Sequence, residues 1–249
     1  MRWKELYLEA TMRTLLGAAL CAFILAFSTV AASAQRKEEV DLLLVLAADV
    51  SGSVDPDEFA LQRRGHAEAL LHPRVQKAIT SGMLGKIAVT YIEWSGDYQQ
   101  TVIVDWTIID GLASAQHFGA QMVEVERPRG RSTAIGAAID FSVKRLEAAP
   151  YHAHRRTIDI SADGTNTSSN LEKARSEAVA KGITINVLAI LSVLPSPSFP
   201  WHTHPVGGLE NYFRSHVIGG PGSFVVVAEE HRSFGEAIVK KLIAEIAMR

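Results

Sequence analysis

Three oxygen-bearing side chains follow one another closely in the segment Asp49-Val50-Ser51-Gly52-Ser53, directly after a run of apolar residues. Asp49, Ser51 and Ser53 stand at alternating positions, and Gly52 allows the chain to turn tightly. One carboxylate and two hydroxyls form a set of hard oxygen donors, which suits Mg²⁺ or Mn²⁺ better than zinc. Aspartate and serine ahead of a helix are also common turn and capping residues, so this segment alone leaves both interpretations open.

Two later segments carry oxygen donors in comparable places. Thr133 lies in the range 130–134, at the start of a predicted helix, and Asp163 lies at the end of a predicted strand within 158–164. Open α/β sheets bind their ligands at the carboxyl edge of the strands. We therefore expect five donors to meet at that edge: Asp49, Ser51, Ser53, Thr133 and Asp163.

The elements that position these donors are predicted from an alternation of apolar strands and amphipathic helices. Strands are predicted at 40–47, 86–94, 101–107, 156–161, 183–191 and 224–228, and helices at 55–71, 114–126, 133–148, 171–181 and 233–247. A nearly unbroken apolar strand is typical of a parallel sheet covered by helices on both faces. The second and third strands flank a short turn and predict a hairpin. The sequence thus predicts one open, mostly parallel α/β domain of about six strands and six helices.

The five donors resemble the metal-ion-dependent adhesion site of the von Willebrand factor type A family, both in their order along the chain and in the elements that carry them. That site is a D-x-S-x-S loop with a distant Thr and a distant Asp, and the resemblance covers roughly residues 40–247. More narrowly, the chain resembles an uncharacterised, exported bacterial subgroup. The resemblance implies a Rossmann-like fold, with a mostly parallel six-stranded sheet and helices on both faces.

The resemblance also implies the roles of the five residues. Ser51, Ser53 and Thr133 would bind a divalent cation directly, while Asp49 and Asp163 would often act through water. The cation implied is Mg²⁺, or else Mn²⁺ or Ca²⁺, because such sites hold hard cations through oxygen. Few direct charges leave the cation an open position, which a Glu or Asp of a partner protein fills.

The function predicted on this basis is an exported, metal-dependent protein-binding module rather than an enzyme. A metal-assisted hydrolase of phosphate or carboxylic esters is the alternative, since Asp49 and Asp163 would support a cation that activates water. Neither motif contains an evident base, and no G-x-S-x-G motif is present. A maturation factor for another exported protein is a further alternative.

Several residues near the predicted metal site are candidates for partner contacts: Trp94, Tyr98, Arg131, Trp201 and Tyr212. The first two belong to the hairpin, and Arg131 would attract an acidic partner. The last two belong to the segment 192–223, which is rich in Pro and Gly and is predicted as a long loop at the metal-bearing edge. A solvated loop packed on itself is the alternative for this segment.

Histidines are not predicted to be metal ligands. His152 and His154 form one closely spaced pair, and His202 and His204 form another, but no third ligand lies near either pair in the sequence. We therefore predict that all four are surface side chains. His66, with Arg63 on the first helix, is predicted to be structural.

Residues 1–34 are predicted to be a cleaved secretory signal peptide. Arg13 precedes an apolar run at 15–30, and the A-x-A sequence at 32–34 follows it. This run is shorter than the ~20 residues of a membrane span, although an uncleaved anchor is the alternative. The mature domain at 35–249 would be periplasmic or secreted, without a stable membrane span. It would contain no cysteine, because Cys21 lies in the apolar run.

The composition limits the remaining classes of function. The 249 residues are 47% hydrophobic and 21% charged, which is typical of a globular protein and not of a collagen, a disulfide scaffold or a disordered chain. Lys and Arg number 25 against 27 Asp and Glu, for a net charge of -2. No generally basic surface is available for a nucleic-acid backbone, so we expect no nucleic-acid partner.

Overall fold

The structure, a computed structural model, describes residues 37–54, 56–123, 130, 132–168, 170–192, 199–229 and 233–248. Its main sheet has six strands: β2 (Leu43–Asp49), β3 (Ile87–Trp94), β4 (Gln100–Ile109), β6 (Arg156–Ala162), β7 (Thr184–Ile190) and β8 (Val225–Ala228). Their spatial order is β4-β3-β2-β6-β7-β8. All neighbours are parallel except β3 and β4, which form the predicted antiparallel hairpin. Two short strands, β1 (Glu38–Glu39) and β5 (Tyr151–His152), pair separately.

Helices cover both faces of the main sheet. The described residues form eight: α1 (Pro56–Leu71), α2 (Pro73–Thr80), α3 (Leu112–Val123), α4 (Ile135–Glu147), α5 (Leu171–Ala180), α6 (Pro200–Thr203), α7 (Leu209–His216) and α8 (Phe234–Ala247). One apolar cluster joins the sheet to α4, α5 and α7, and a second joins its other face to α1, α2, α3 and α8. The predicted α/β fold with a mostly parallel six-stranded sheet is confirmed.

The continuous apolar sequence of β2 follows from this double coverage. Side chains alternate between the faces of a strand, so neighbouring residues enter different cores. Val45 belongs to the cluster beneath α4, whereas Leu46 belongs to the cluster beneath α1, and both are fully buried. The strand therefore ends with Asp49 at a well-fixed place on the carboxyl edge of the sheet.

Helix α2 was not predicted as a separate element. His72 precedes it and accepts a hydrogen bond from the backbone N–H of Arg74 at 3.2 Å, which caps the new helix. Pro73 occupies the first helical position, where its missing N–H costs nothing. Val75 and Ile79, four residues apart, bury the inner face of the helix.

The segment predicted as a long loop at 192–223 is not a continuous loop. It contains α6 and α7, and residues 193–198 within it lie outside the described part of the chain. Pro200 begins α6, and Gly208 precedes α7 with a φ of 85°, a value that favours glycine. Leu209 and Phe213 are spaced by one helical turn and enter the core. Proline and glycine therefore mark the starts of these helices.

The predicted signal peptide at 1–34 lies outside the described residues. Within the part of the chain that the structure describes, none of the helices has the length and apolar character needed to cross a bilayer.

A buried group of charges connects α8 to the sheet. Lys241 forms ion pairs with Asp159 on β6 and with Glu245, whose Oε1 lies 2.5 Å from the Lys241 Nζ. Asn186 on β7 donates a further hydrogen bond to Glu245 at 3.0 Å. Burial and the charge of Asp159 together raise the pKa of Glu245 to about 8, against the opposing effect of Lys241.

The raised pKa of Glu245 makes the stability depend on pH. Between its ordinary value of 4.5 and about 8, the folded state binds more protons at this group than the unfolded state does. The stabilisation that this group provides is complete below pH 4.5 and is lost as the pH rises towards 8. The E245Q variant, which cannot titrate, should show a shallower fall in the free energy of unfolding across this range. Urea unfolding at a series of pH values measures it, with the exposed substitution E147Q as control; equal slopes for E245Q and the parent would contradict the assignment.

Candidate metal centre

Four of the five predicted donors lie in direct contact at the carboxyl ends of β2 and β6. The backbone N–H of Ser51 donates to Asp49 Oδ1 at 2.7 Å, and the Ser51 and Ser53 hydroxyl oxygens are 3.1 Å apart. Ser53 in turn donates to Asp163 Oδ1 at 2.9 Å. Because β2 and β6 are neighbouring parallel strands, residues that follow them are 110 positions apart in sequence yet adjacent in space.

Backbone hydrogen bonds hold Thr133 at the same edge. Thr167, in the loop after Asp163, donates its N–H to Thr133 O at 2.8 Å, and its hydroxyl oxygen accepts the Thr133 N–H at 3.0 Å. The next residue, Ala134, donates its N–H to the carbonyl of Ser95, which follows β3. Thr133 thus lies between the loops that follow β3 and β6, and only 2% of its surface is exposed.

The two carboxylates of the site are poorly solvated. Asp49 Oδ2 is buried and has no hydrogen-bond partner among the described residues. Burial raises the pKa of Asp49 well above its ordinary value, and the negative charge of Asp163 raises it further. Burial also raises the pKa of Asp163 to about 6, although the hydrogen bond from Ser53 lowers it. A bound cation would offset this concentration of negative charge.

The spacing of the oxygens fits a hard cation. Adjacent ligands of an octahedral Mg²⁺ lie about 3 Å apart when each metal–oxygen bond is about 2.1 Å. The Ser51–Ser53 oxygen separation, 3.1 Å, is compatible with that edge length. No group of three or more His, Cys, Asp and Glu suited to a metal occurs in the described ranges. The candidate donors are hydroxyls and two carboxylates, oxygen ligands of the kind that Mg²⁺, Mn²⁺ and Ca²⁺ prefer.

A buried ion pair fixes the helix that follows the D-x-S-x-S loop. Arg63 on α1 binds Glu93 on β3 through two bonds, Nε to Oε1 at 2.7 Å and Nη2 to Oε2 at 2.9 Å. Gln62, one residue earlier, donates to the carbonyl oxygen of Asp49 at 3.4 Å. His66 contacts the Gln62 carbonyl at 2.8 Å. These contacts agree with the predicted structural role of Arg63 and His66.

His202 is a residue of the site that sequence spacing did not reveal. Its Nε2 lies 3.2 Å from Thr133 Oγ1, and its Nδ1 lies 3.1 Å from Thr165 Oγ1. A Cβ placed on Gly164 would lie 2.2 Å from Nε2, so the ring occupies space that only a glycine leaves open. Partial burial lowers the pKa of His202 and favours the neutral ring. His202 is thus not a freely solvated surface residue. It lies on α6 and contacts Thr165 and Thr133, which are 37 and 69 positions away in the sequence.

Trp94 is not available for partner contacts, contrary to the prediction. It ends β3, whose residues are all buried, and none of its own surface is exposed. Its side chain belongs to the apolar cluster beneath α4. The aromatic residue that the sequence suggested as a contact therefore stabilises the core.

The other candidate contacts differ from one another. Tyr98 and Trp201 are exposed, at 99% and 66%, and Trp201 packs edge to face with Phe199, their ring centres 6.1 Å apart. Tyr212 is half-buried, and its hydroxyl accepts the N–H of Asn166 at 3.1 Å, so it supports the loop after Asp163. Arg131 lies outside the described residues.

The order of the sheet and the position of the donors at its carboxyl edge define a fold of the von Willebrand factor type A class. Among solved structures, the chain is similar to a von Willebrand factor type A protein from Catenulispora acidiphila, with 12% identity, 84% of this chain and 43% of that chain covered, and a TM-score of 0.54. The family whose sequence profile matches residues 39–249 is described as "Protein of unknown function (DUF1194)". The chain belongs to this family, which confirms the resemblance to an uncharacterised subgroup of that fold.

Two other solved structures share the fold. The pilus adhesin SpaC from Lactobacillus rhamnosus GG has 14% identity and a TM-score of 0.59, with 84% of this chain and 31% of the adhesin covered. Proximal thread matrix protein 1 from the mussel byssus, with a zinc-occupied MIDAS motif, has 13% identity and a TM-score of 0.53, with 82% and 46% covered. The chain spans less than half the length of these three proteins. No match was found among the curated proteins.

Removing Arg63 tests whether the ion pair supports the site. The R63M variant removes both Arg63 hydrogen bonds from the buried Glu93, and we expect a loss of about 3–5 kcal/mol in the free energy of unfolding. The exposed pair of Lys86 and Glu38 is the matched control, since K86M should cost about 0–1 kcal/mol. Chemical denaturation of both variants measures the difference. Equal small losses would show that the Arg63–Glu93 pair contributes no more than a surface pair.

Proposed function

We propose that this chain is an exported interaction module that binds an acidic side chain of a partner protein through a divalent cation. The observation that carries the proposal is the buried pair Asp49 and Asp163. The Ser51 backbone N–H and the hydroxyls of Ser51 and Ser53 connect the two carboxyls, and Asp49 Oδ2 has no hydrogen-bond partner among the described residues. Burying two negative groups is costly unless positive charge compensates them. A cation at this place provides that compensation.

The residues have two roles in this proposal: some bind the cation, and others balance its charge. In this proposal the hydroxyls of Ser51, Ser53 and Thr133 bind the cation, and Asp49 and Asp163 balance its charge, often through water. A bound Mg²⁺ keeps several waters and needs only one or two carboxylates, so it supplies an open position for a carboxylate from the partner. Mn²⁺ and Ca²⁺ are the alternatives that the same oxygen donors accept.

Exposed aromatic side chains supply the rest of the proposed recognition surface. Tyr98 follows β3 and Trp201 lies on α6, which also carries His202 to the metal site. Aromatic residues are enriched where binding energy is concentrated in protein interfaces. The fold shared with a pilus adhesin is consistent with an interaction role, although the adhesin is a much longer protein.

A metal-assisted hydrolase remains the second candidate, and one observation favours it. His202 stands beside Thr133 and is a possible base, which neither sequence motif contains. Both of its ring nitrogens contact threonine hydroxyls, however, so neither is free to take a proton from water. Metal-dependent turnover of a phosphate or carboxylic ester by the purified mature domain, lost on chelation, would favour catalysis over binding alone.

Export is proposed from the sequence of residues 1–34. The basic flank, the apolar run and the A-x-A ending at 32–34 support cleavage there and a periplasmic or secreted location. A role as maturation factor for another exported protein would be one form of this interaction function. Sequencing the N-terminus of the protein recovered from outside the cytoplasm tests the proposal, because cleavage after Ala34 leaves Gln35 as the first residue.

Substitutions in the donor set should abolish cation binding. We expect D49A and the double variant S51A/S53A to lose Mg²⁺ binding in isothermal titration calorimetry, because each removes charge balance or ligands. D97N is the matched control, since Asp97 is exposed after β3 but lies outside the donor set. Partner capture by the mature domain should occur in Mg²⁺ and fail in EDTA. Equal recovery under both conditions would contradict a bridging cation.

Removing an exposed aromatic residue should weaken partner binding without changing cation affinity. We expect W201A and Y98A each to weaken capture of the partner by about tenfold, which corresponds to about 1.4 kcal/mol. M83A is the matched control, because Met83 is 96% exposed but precedes β3, at the opposite edge of the sheet. The dissociation constant for Mg²⁺ should be the same in all three variants. A partner that binds W201A and Y98A as well as the parent would exclude this surface.

A further inference from the structure

We infer that His202 is a positioning residue of the proposed metal centre. Its Nε2 accepts the hydroxyl proton of Thr133, so that a lone pair of Thr133 Oγ1 faces the cation. This inference rests on the proposed function, because it concerns the cation-bound protein. The observation that carries it is the imidazole held between two threonine hydroxyls beside the donor set.

The need for an acceptor follows from the chemistry of a hydroxyl ligand. A threonine hydroxyl has one proton and two lone pairs, and a lone pair that binds a cation obliges the proton to point elsewhere. In a buried place that proton needs an acceptor, since water does not provide one. Thr133 is 2% exposed, and His202 Nε2 lies 3.2 Å from its Oγ1. The imidazole nitrogen is thus placed to accept this proton.

The contact on the other side of the ring is compatible with the tautomer that this role requires. Nδ1 lies 3.1 Å from Thr165 Oγ1, and we assign the ring proton to Nδ1, which donates to that oxygen. Nε2 then keeps its lone pair for Thr133. The carbonyl oxygen of His202 accepts the N–H of Thr165 at 3.0 Å, which fixes the backbone as well. Substituting residues that orient a metal ligand in this way typically lowers metal affinity 10- to 100-fold.

Close packing against Gly164 fixes the distance of the ring from the site. A Cβ at position 164 would lie 2.2 Å from Nε2 and 2.5 Å from the ring carbon Cε1. Gly164 follows Asp163, so the ring lies over the backbone that carries a donor. The absence of a side chain there allows Nε2 to reach Thr133.

Three substitutions of His202 separate acceptance of the Thr133 proton from simple packing. The amide of glutamine reaches approximately the position of Nε2, whereas the amide of asparagine reaches only that of Nδ1. We expect H202A and H202N to weaken Mg²⁺ or Mn²⁺ binding by about 10- to 100-fold, and H202Q to retain most of the affinity. Calorimetry measures the affinities, and thermal unfolding in EDTA checks that H202Q and H202N are equally stable. A purely structural histidine would not produce this difference.

Pulsed electron paramagnetic resonance of bound Mn²⁺ tests whether His202 acts through Thr133 or binds the metal itself. The inference predicts no directly bound nitrogen, because the proposed ligands are oxygens. The ¹⁵N spectrum of the imidazole in the Mg²⁺-loaded protein should show a protonated Nδ1 and an unprotonated Nε2. A strong ¹⁴N coupling to Mn²⁺, or a protonated Nε2, would overturn the positioning role.

The G164A variant provides an independent route to the same result. The added methyl group should displace the ring and weaken cation binding in the parent, yet have little further effect in the H202A background. If the parent itself binds no cation, the proposed function fails and this inference fails with it. If the parent binds but H202A binds equally well, or H202Q is as weak as H202A, this inference alone is overturned.

Discussion

The repulsion between two buried carboxylates governs the rest of the site. Asp49 and Asp163 end neighbouring strands, and the serines of the intervening loop bring them within one chain of hydrogen bonds. Neutral donors such as the Ser51 N–H reduce the cost of burying such groups but do not cancel their charge. Burial raises the pKa of both carboxyls, and the charge of Asp163 raises that of Asp49 further, so protonation lowers the cost of burying the pair without a cation. In the proposed function, a cation would lower this cost with the carboxylates ionised.

The protein neutralises other buried carboxylates with its own cations, which sets this pair apart. Glu93, one residue before the end of β3, receives two hydrogen bonds from Arg63. Asp159, in the middle of β6, forms an ion pair with Lys241 from α8. Asp49 lies in the strand between them, and its Oδ2 has no such partner in the described part of the chain. In the proposed function, a bound ion would supply at this edge the compensation that Arg63 and Lys241 supply elsewhere.

The sequence predicts those parts of the site that a short, contiguous segment of the chain encodes. The apolar run of β2 and the loop after it are contiguous, and the carboxyl edge of a parallel sheet supplies the rule that places Asp163 beside it. Burial of Trp94 was not predicted, because an aromatic residue at a strand end is compatible with either core or surface until the opposite layer is known. His202 was missed for a related reason: its contact with Thr133 spans 69 positions and depends on α6, within a segment whose prolines and glycines suggested a loop.

The short helix α6 connects the proposed partner surface with the proposed metal site. Trp201 is exposed to a partner, and the adjacent His202 contacts a proposed ligand of the cation. Trp201 and His202 are adjacent in this four-residue helix, so in the proposed function a partner that moved Trp201 would also move the ring beside Thr133. In the proposed function, thermodynamic linkage would make the effect reciprocal: a cation that fixed Thr133 and His202 would also fix the aromatic surface and raise the affinity for the partner. Metal dependence of binding would thus come from order in α6 as well as from the bridging bond.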